Sequence, residues 1–321
     1  MKFKPDGFIA AMAIVILMAR LFPSWSGLLP FDNITSTGIS LIFFFYGLKL
    51  SPEKLRNDLS NTRLHLLIQG TTFILFPLLI LATATLTSQS FSDPLWLGLM
   101  FLAALPSTVS TSVVMVSLAK GNVPAAIFNA SISGLIGIVI TPLWMSFVMK
   151  SGGHPADFSS IYMKLITEVV FPVALGMLFH RIAGKFAVRY AKQMTLFDRT
   201  IILLIIFKSF AHAFQERLFD TVSTQHLFVI TLLVISLFFL VYYLTGRMSR
   251  MLHFTREDEI TARYCGTKKS LVHGTVFSGI LFGTASTGLI LLPLMIFHAF
   301  QILYISAVAA REGNKIHITT Q

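Results

Sequence analysis

The stretch ITARYCGTKKSLVHG, residues 260–274, places two adjacent lysines, Lys268 and Lys269, inside what otherwise reads as an apolar span. Its meaning depends on the surrounding medium. Of the 321 residues, 55% are hydrophobic and 12% are charged, against roughly 25% charged in a soluble domain. The chain therefore reads as an all-α integral membrane protein. A charged lysine at mid-membrane costs roughly 2.5–3.5 kcal/mol on insertion scales. Two together need a compensation that apolar packing does not supply. The bland alternative sets the segment lower, so that both ammonium groups reach the cytoplasmic interface along their aliphatic stems.

Ten apolar runs are readable, at about 7–22, 34–50, 64–87, 95–119, 123–149, 159–182, 199–215, 224–246, 257–282 and 285–310. The amino terminus has the basic start of a secretory signal, but its run ends at Arg20 with no small-residue cleavage site, so it reads as the first span. With that terminus inside, all but seven of the 25 Lys and Arg fall at cytoplasmic ends: Arg20, Lys150, Lys164 and Arg217 fall outside, and Lys208, Lys268 and Lys269 lie within spans. Both termini are expected in the cytoplasm, with a bacterial inner membrane as the expected location. The net charge of +11 thus marks topology; no basic patch with interleaved aromatics points to nucleic acid. Cys265 is the single cysteine, which excludes a disulfide framework.

Ser-Leu-Ala-Lys-Gly at 117–121 resembles Ser-Leu-Val-His-Gly at 270–274, and Thr-Pro-Leu at 141–143 resembles Leu-Pro-Leu at 292–294. This pairs a repeat of about 1–150 with one of about 158–310 in a single transmembrane domain. Five spans per half is odd, so the second half is expected upside down, the inverted plan of many secondary transporters. Such proteins bind solute where helices are interrupted at matching places. The fourth span carries Pro106 amid Ser107, Thr108, Ser110, Thr111 and Ser112; the ninth carries Gly266 and the lysines. Interruptions are expected near 106–112 and 264–269. Hydroxyls taken singly, and the Gly279/Gly283 pair, are more ordinarily packing residues.

On the GTKKSLVHG segment, LPSTVSTSVVMVSLAKGN at 105–122 and FFFYGLKLSPEKL at 43–55, the chain resembles the bile acid:sodium symporter superfamily, and most closely its SBF-like branch. The resemblance implies a core of spans 3–5 and 8–10, whose broken fourth and ninth spans cross, a panel of spans 1, 2, 6 and 7, and solute in the cleft between them. It places oxygens of a sodium position near Thr111, Ser112, Asn129 and Ser133. The glutamate that serves sodium in the family falls on Tyr264, and the following carboxamides fall on Lys268 and Lys269. The anionic ligand is replaced by cations, which puts two-sodium coupling in question. At an effective dielectric of 20, two unit charges 4 Å apart repel by about 4 kcal/mol.

Thr108 and Ser270 complete the candidate set, with Glu168 as a counter-charge. A lysine there replaces the ion's charge permanently, exchanges it for a proton, or attracts an anionic solute. No cofactor is expected beyond sodium or proton as coupling ion; the partners are membrane lipid and a small solute, chiefly an organic anion. Lys208 with His212, and His273 with His298, are further polar residues within spans; the two latter read as interhelical hydrogen bonds before proton relays. No HExxH, P-loop or GxSxG is present, so no enzyme is indicated. The alternative to a secondary transporter is a regulatory membrane protein that modulates ion handling or envelope processing. The charge asymmetry predicts that a reporter fluorescent only in the cytoplasm will glow when fused after residue 321 and stay dark when inserted after residue 152. The reverse pattern would overturn the topology.

Overall fold

The computed structural model describes residues 7–27, 30–50, 61–108, 110–151, 163–217, 220, 223–282 and 287–319. Lys2, Lys4, Lys54, Arg56 and Gly283 lie outside the described residues, as do the side chains of Ser110, Lys150 and Lys315. All regular elements described are helical: α1 (Gly7–Leu21), α2 (Phe31–Lys49), α3 (Thr62–Leu86), α4 (Pro94–Ala104), α5 (Ser110–Leu118), α6 (Val123–Ser151), α7 (Met163–Arg189), α8 (Ala191–Gln215), α9 (Thr224–Met251), α10 (Arg256–Thr267), α11 (Leu271–Phe282) and α12 (Thr287–Thr319). Among the described residues, five helices are long and apolar enough to cross a membrane: α3, α7 and α9, with residues 123–149 of α6 and 287–313 of α12. The fourth and ninth runs are each divided in two. The seventh begins earlier than expected, within the charged stretch that follows Tyr190.

The helix pattern repeats. The elements α3, α4, α5 and α6 are followed in the same order by α9, α10, α11 and α12, each starting 161 to 164 residues later. This corrects the register read from short motifs, whose separations are 153 and 151 residues. That register sets the end of α5 against the start of α11. Short runs of Ser, Leu and Gly are common in membrane helices, so they align without marking equivalent places.

The chain forms two compact units: residues 1–52, 156–224 and 274–291 in one, and 53–155, 225–273 and 292–321 in the other. The expected core took the ninth and tenth spans whole, whereas 274–291 belongs to the first unit. In that unit α2 and α7 pack backbone to backbone. A Cβ on Gly47 would overlap the Val173 carbonyl oxygen, and one on Gly176 the Phe44 carbonyl oxygen. His180 reaches the Leu48 carbonyl through Nδ1 at 2.8 Å, and Lys49 pairs with Asp198 at 3.7 Å.

In the second unit, α10 is fixed at its start. The Thr255 hydroxyl caps it by accepting from the Asp258 N–H, and Glu257, Asp258 and Glu259 complement the positive helix end. Asp258 accepts from Asn61 and Asn122 side chains, both at 2.8 Å, tying the starts of α3 and α6 to α10. The close α2–α7 approach predicts that Gly47→Ala and Gly176→Ala each destabilise the protein by about 1–3 kcal/mol, as forced overpacking does. An unchanged thermal unfolding midpoint in both variants would contradict the packing.

Candidate functional site

Pro77 lies in the run TTFILFPLLI and has no N–H to give. The Phe73 carbonyl, whose helical partner would be residue 77, instead accepts from the Trp144 indole at 2.8 Å. One turn earlier the helix widens over Thr71–Leu75, and the Phe76 N–H goes to the Thr71 carbonyl. That leaves the Thr72 carbonyl without a backbone donor, the usual consequence of a π-bulge. Pro106 does the same to α4: the helix stops at Ala104 and residues 105–108 are unwound. The Ser107 N–H turns to the Ser133 hydroxyl at 3.0 Å, so the Ala103 carbonyl is also released.

Lys269 collects these carbonyls. Its Nζ lies 2.8 Å from Thr72 O, 2.6 Å from Ala103 O and 2.9 Å from Leu105 O, and 4.2 Å from the Phe76 ring centroid. Carbonyl oxygens only accept, and an ammonium has three N–H donors, so the three bonds require the charged form. Charge-assisted bonds contribute about 1.5–3 kcal/mol each, which together exceed the roughly 2.5–3.5 kcal/mol cost of a mid-membrane lysine. The negative end of the α4 dipole and the Phe76 face add to this. The main chain of Lys269 is satisfied by Gln301, which accepts from its N–H and donates to its carbonyl, both at 2.8 Å. The Gln301 amide also donates to His298 Nδ1 at 2.9 Å.

Lys268 is extended, with φ −82° and ψ 145°, so its side chain leaves on the opposite side from its neighbour's. It is fully buried. Its acceptor among the described residues is the Thr111 carbonyl, at 2.8 Å. Thr111 also belongs to a hydroxyl cluster in which Thr108 Oγ1 lies 2.8 Å from both Thr111 Oγ1 and Ser112 Oγ. One charge-assisted bond does not offset the burial of that cation by itself. No ion pair among the described residues reaches either lysine; those present are Lys49–Asp198, Arg250–Glu259 and Arg263–Glu259.

The two interruptions meet. The Ser270 N–H donates to the Pro106 carbonyl at 2.8 Å, and the Ser107 hydroxyl to the Cys265 carbonyl at 2.7 Å. Ser270 also caps α11, its Oγ accepting from the His273 N–H at 3.3 Å and lying 2.9 Å from His273 Nδ1. The second interruption covers 268–270, later than 264–269; Gly266 is helical. The space above Gly266 is taken by Thr71, 3.3 Å from where a Cβ would sit, so this glycine serves close packing and not unwinding.

The other expected residues are dispersed. Ser133 holds the Ser107 N–H, while Asn129 donates to His65 Nδ1 at 2.8 Å and accepts from Gln69 at 3.1 Å. Asn129 Oδ1 and the Ser133 hydroxyl, both offered for sodium, thus accept from Gln69 and from the Ser107 N–H. The Tyr264 hydroxyl donates to Glu312 Oε2 at 2.7 Å, a carboxylate the sequence reading passed over. Glu168 belongs to the first unit and accepts from Ser36 at 2.9 Å. His212 Nδ1 is buried without a hydrogen-bond partner among the described residues. Thr72, Phe76, Pro77 and Gln301 were missed, although Pro77 and Gln301 each interrupt an aliphatic run.

Two buried lysines thus lie where two helix interruptions meet, with no ion pair to either among the described residues. The model of the SBF-like CPA transporter family matches residues 6–313, and the chain belongs to that family of membrane transporters. It is 35% identical to an uncharacterized protein of Pseudomonas aeruginosa, over 98% of this chain and 95% of that one. It is 34% identical to a protein of Escherichia coli named "Putative symporter YfeH", over 95% and 92%. It is 31% identical to the zebrafish protein named sodium/bile acid cotransporter 7, over 94% and 92%.

The carbonyl cage predicts that Lys269→Met destabilises the protein by roughly 3 kcal/mol or more, because three buried acceptors lose their donors. In a Pro77→Ala background, where residues 76 and 77 again donate to residues 72 and 73, the loss will be smaller by about 0.5–3 kcal/mol. Strict additivity in a thermal double-mutant cycle would show that proline and lysine are not coupled.

Proposed function

We propose that the chain is a secondary active transporter that moves a small organic anion by alternating access without sodium coupling. The observation that carries this reading is Lys268, a fully buried lysine with one carbonyl acceptor beside the hydroxyls of Thr108, Thr111 and Ser112. A solute carboxylate supplies the counter-charge for Lys268, and the hydroxyl cluster, whose two internal bonds use two of its three O–H groups, has one left to donate to the carboxylate oxygens. Lys269 acts as a permanent tethered cation, already saturated by carbonyls and fixed in charge through the cycle. Sodium near this pair meets repulsion of about 4 kcal/mol per ammonium at 4 Å and an effective dielectric of 20. Relatives named sodium/bile acid cotransporters support an organic acid as solute, while the lysines argue for a different coupling from the one those names state. Proton exchange at Lys268 is the coupling that its single acceptor favours.

The membrane arrangement belongs to the same proposal: ten spans in two inverted repeats, with the α4–α5 and α10–α11 pairs each making one broken span, and both termini in the cytoplasm of a bacterial inner membrane. Uptake of a panel of radiolabelled organic anions into proteoliposomes tests it. Uptake will be unchanged when potassium replaces sodium and will fall roughly tenfold or more in Lys268→Met, the loss of one charge-assisted contact. Strict sodium dependence would remove the role given to the lysines. Absence of uptake for every anion, with or without a pH gradient, would instead support a regulatory membrane protein.

A further inference from the structure

Helix α7 has a buried edge and a charged one. Val173, Gly176, Gly184 and Ala187 are buried, and a Cβ at Gly176 would strike α2. Its last turns expose Arg181, Lys185 and Arg189, spaced by four, and beside them Leu178, Ile182 and Phe186, also spaced by four. Residues four apart are neighbours on a helix surface, so a basic row and an apolar row run side by side. Lys192 adds a further exposed cation just past the turn into α8. In that turn Tyr190 packs on Phe186 with ring centroids 4.4 Å apart, and the Arg189 guanidinium stands 5.7 Å from the Tyr190 centroid. From residue 169 to residue 197 the chain has no Asp or Glu. No ion pair among the described residues reaches these cations.

An occupant that satisfies this face brings negative charge and hydrocarbon together. A dissolved anion would leave Leu178 and Ile182 uncovered, although they are 74% and 81% exposed. Depth points the same way. Helix α7 is long and apolar enough to cross a membrane, and at 1.5 Å per residue Arg181 stands roughly 27 Å along it from Met163, close to a hydrocarbon thickness of about 30 Å. The basic row therefore begins where lipid headgroups begin. Clusters of about four or more Lys and Arg at the end of a membrane helix attract anionic lipid.

We infer that this face is a docking site for an anionic phospholipid, whose phosphate lies among Arg181, Lys185, Arg189 and Lys192 and whose acyl chain follows Phe186, Ile182 and Leu178. The site is separate from the lysine pair and stands whether or not the chain moves a solute. The protein is taken from mixed micelles holding equal amounts of phosphatidylglycerol and phosphatidylcholine, and bound lipid is counted by native mass spectrometry. Phosphatidylglycerol will be retained in several-fold excess. Arg181→Gln/Lys185→Gln/Arg189→Gln/Lys192→Gln will remove the excess, whereas Lys120→Gln/Arg247→Gln/Arg256→Gln/Arg311→Gln, which neutralises as many exposed basic residues elsewhere, will leave it. Arg181→Lys/Arg189→Lys keeps the charge and will keep the lipid. Ile182→Ser/Phe186→Ser keeps every cation and will lower retention several-fold. Unchanged retention in that last variant, or displacement of the lipid by millimolar inorganic phosphate, would mark a site for a bare anion and overturn the inference. Equal retention of the two lipids, or equal loss in both quadruple variants, would overturn it as well.

Discussion

Three carbonyl oxygens and one ammonium hold the second unit together at its centre. Lys269 draws the bulge of α3, the end of α4 and the segment after α10 to one point, and Gln301 adds α12 by taking the peptide groups of the same residue. Each acceptor is available because a proline elsewhere has disturbed a helix: Pro77 in α3, Pro106 after α4. Broken helices within a bilayer ordinarily leave backbone groups that hydrocarbon cannot satisfy. Here the defects of two helices are satisfied by one side chain, and a cation otherwise too costly to bury is stabilised by the same defects.

The adjacent lysine obeys the opposite logic. An extended residue sends successive side chains to opposite sides, so two neighbours in sequence separate into a saturated cation and an under-satisfied one. Saturation fixes Lys269 in place. Lys268, with one carbonyl and a ring of hydroxyls on Thr108, Thr111 and Ser112 nearby, keeps donors in reserve.

Hydropathy made the membrane class legible from sequence, and Pro106 with the Lys268–Lys269 step marked where two helices are interrupted and meet. What escaped was set by geometry that composition does not carry. Gly266 invited unwinding by its conformational freedom, yet it lies within α10 with Thr71 packed over it. Asn129 and Ser133 share a face of α6 with a spacing of four, but their hydrogen bonds lead to different neighbours. The bulge at Thr71–Leu75 follows from Pro77 only once the next turn is known to have a donor waiting. Short Ser-Leu-Gly matches gave a repeat register ten residues short, because helix order and not local similarity defines the equivalence.

Cys265 is fully buried one turn before the second interruption, and its carbonyl is held by the Ser107 hydroxyl across the meeting of the two breaks. A thiol in that position is closed to reagents for as long as the breaks stay joined. Since no other cysteine exists in the chain, the rate at which an alkylating reagent consumes the protein's thiol is a clock for how often that junction comes apart. Solutes, membrane composition and voltage can then be ranked by how they slow or hasten one irreversible chemical event, with no label added to the polypeptide.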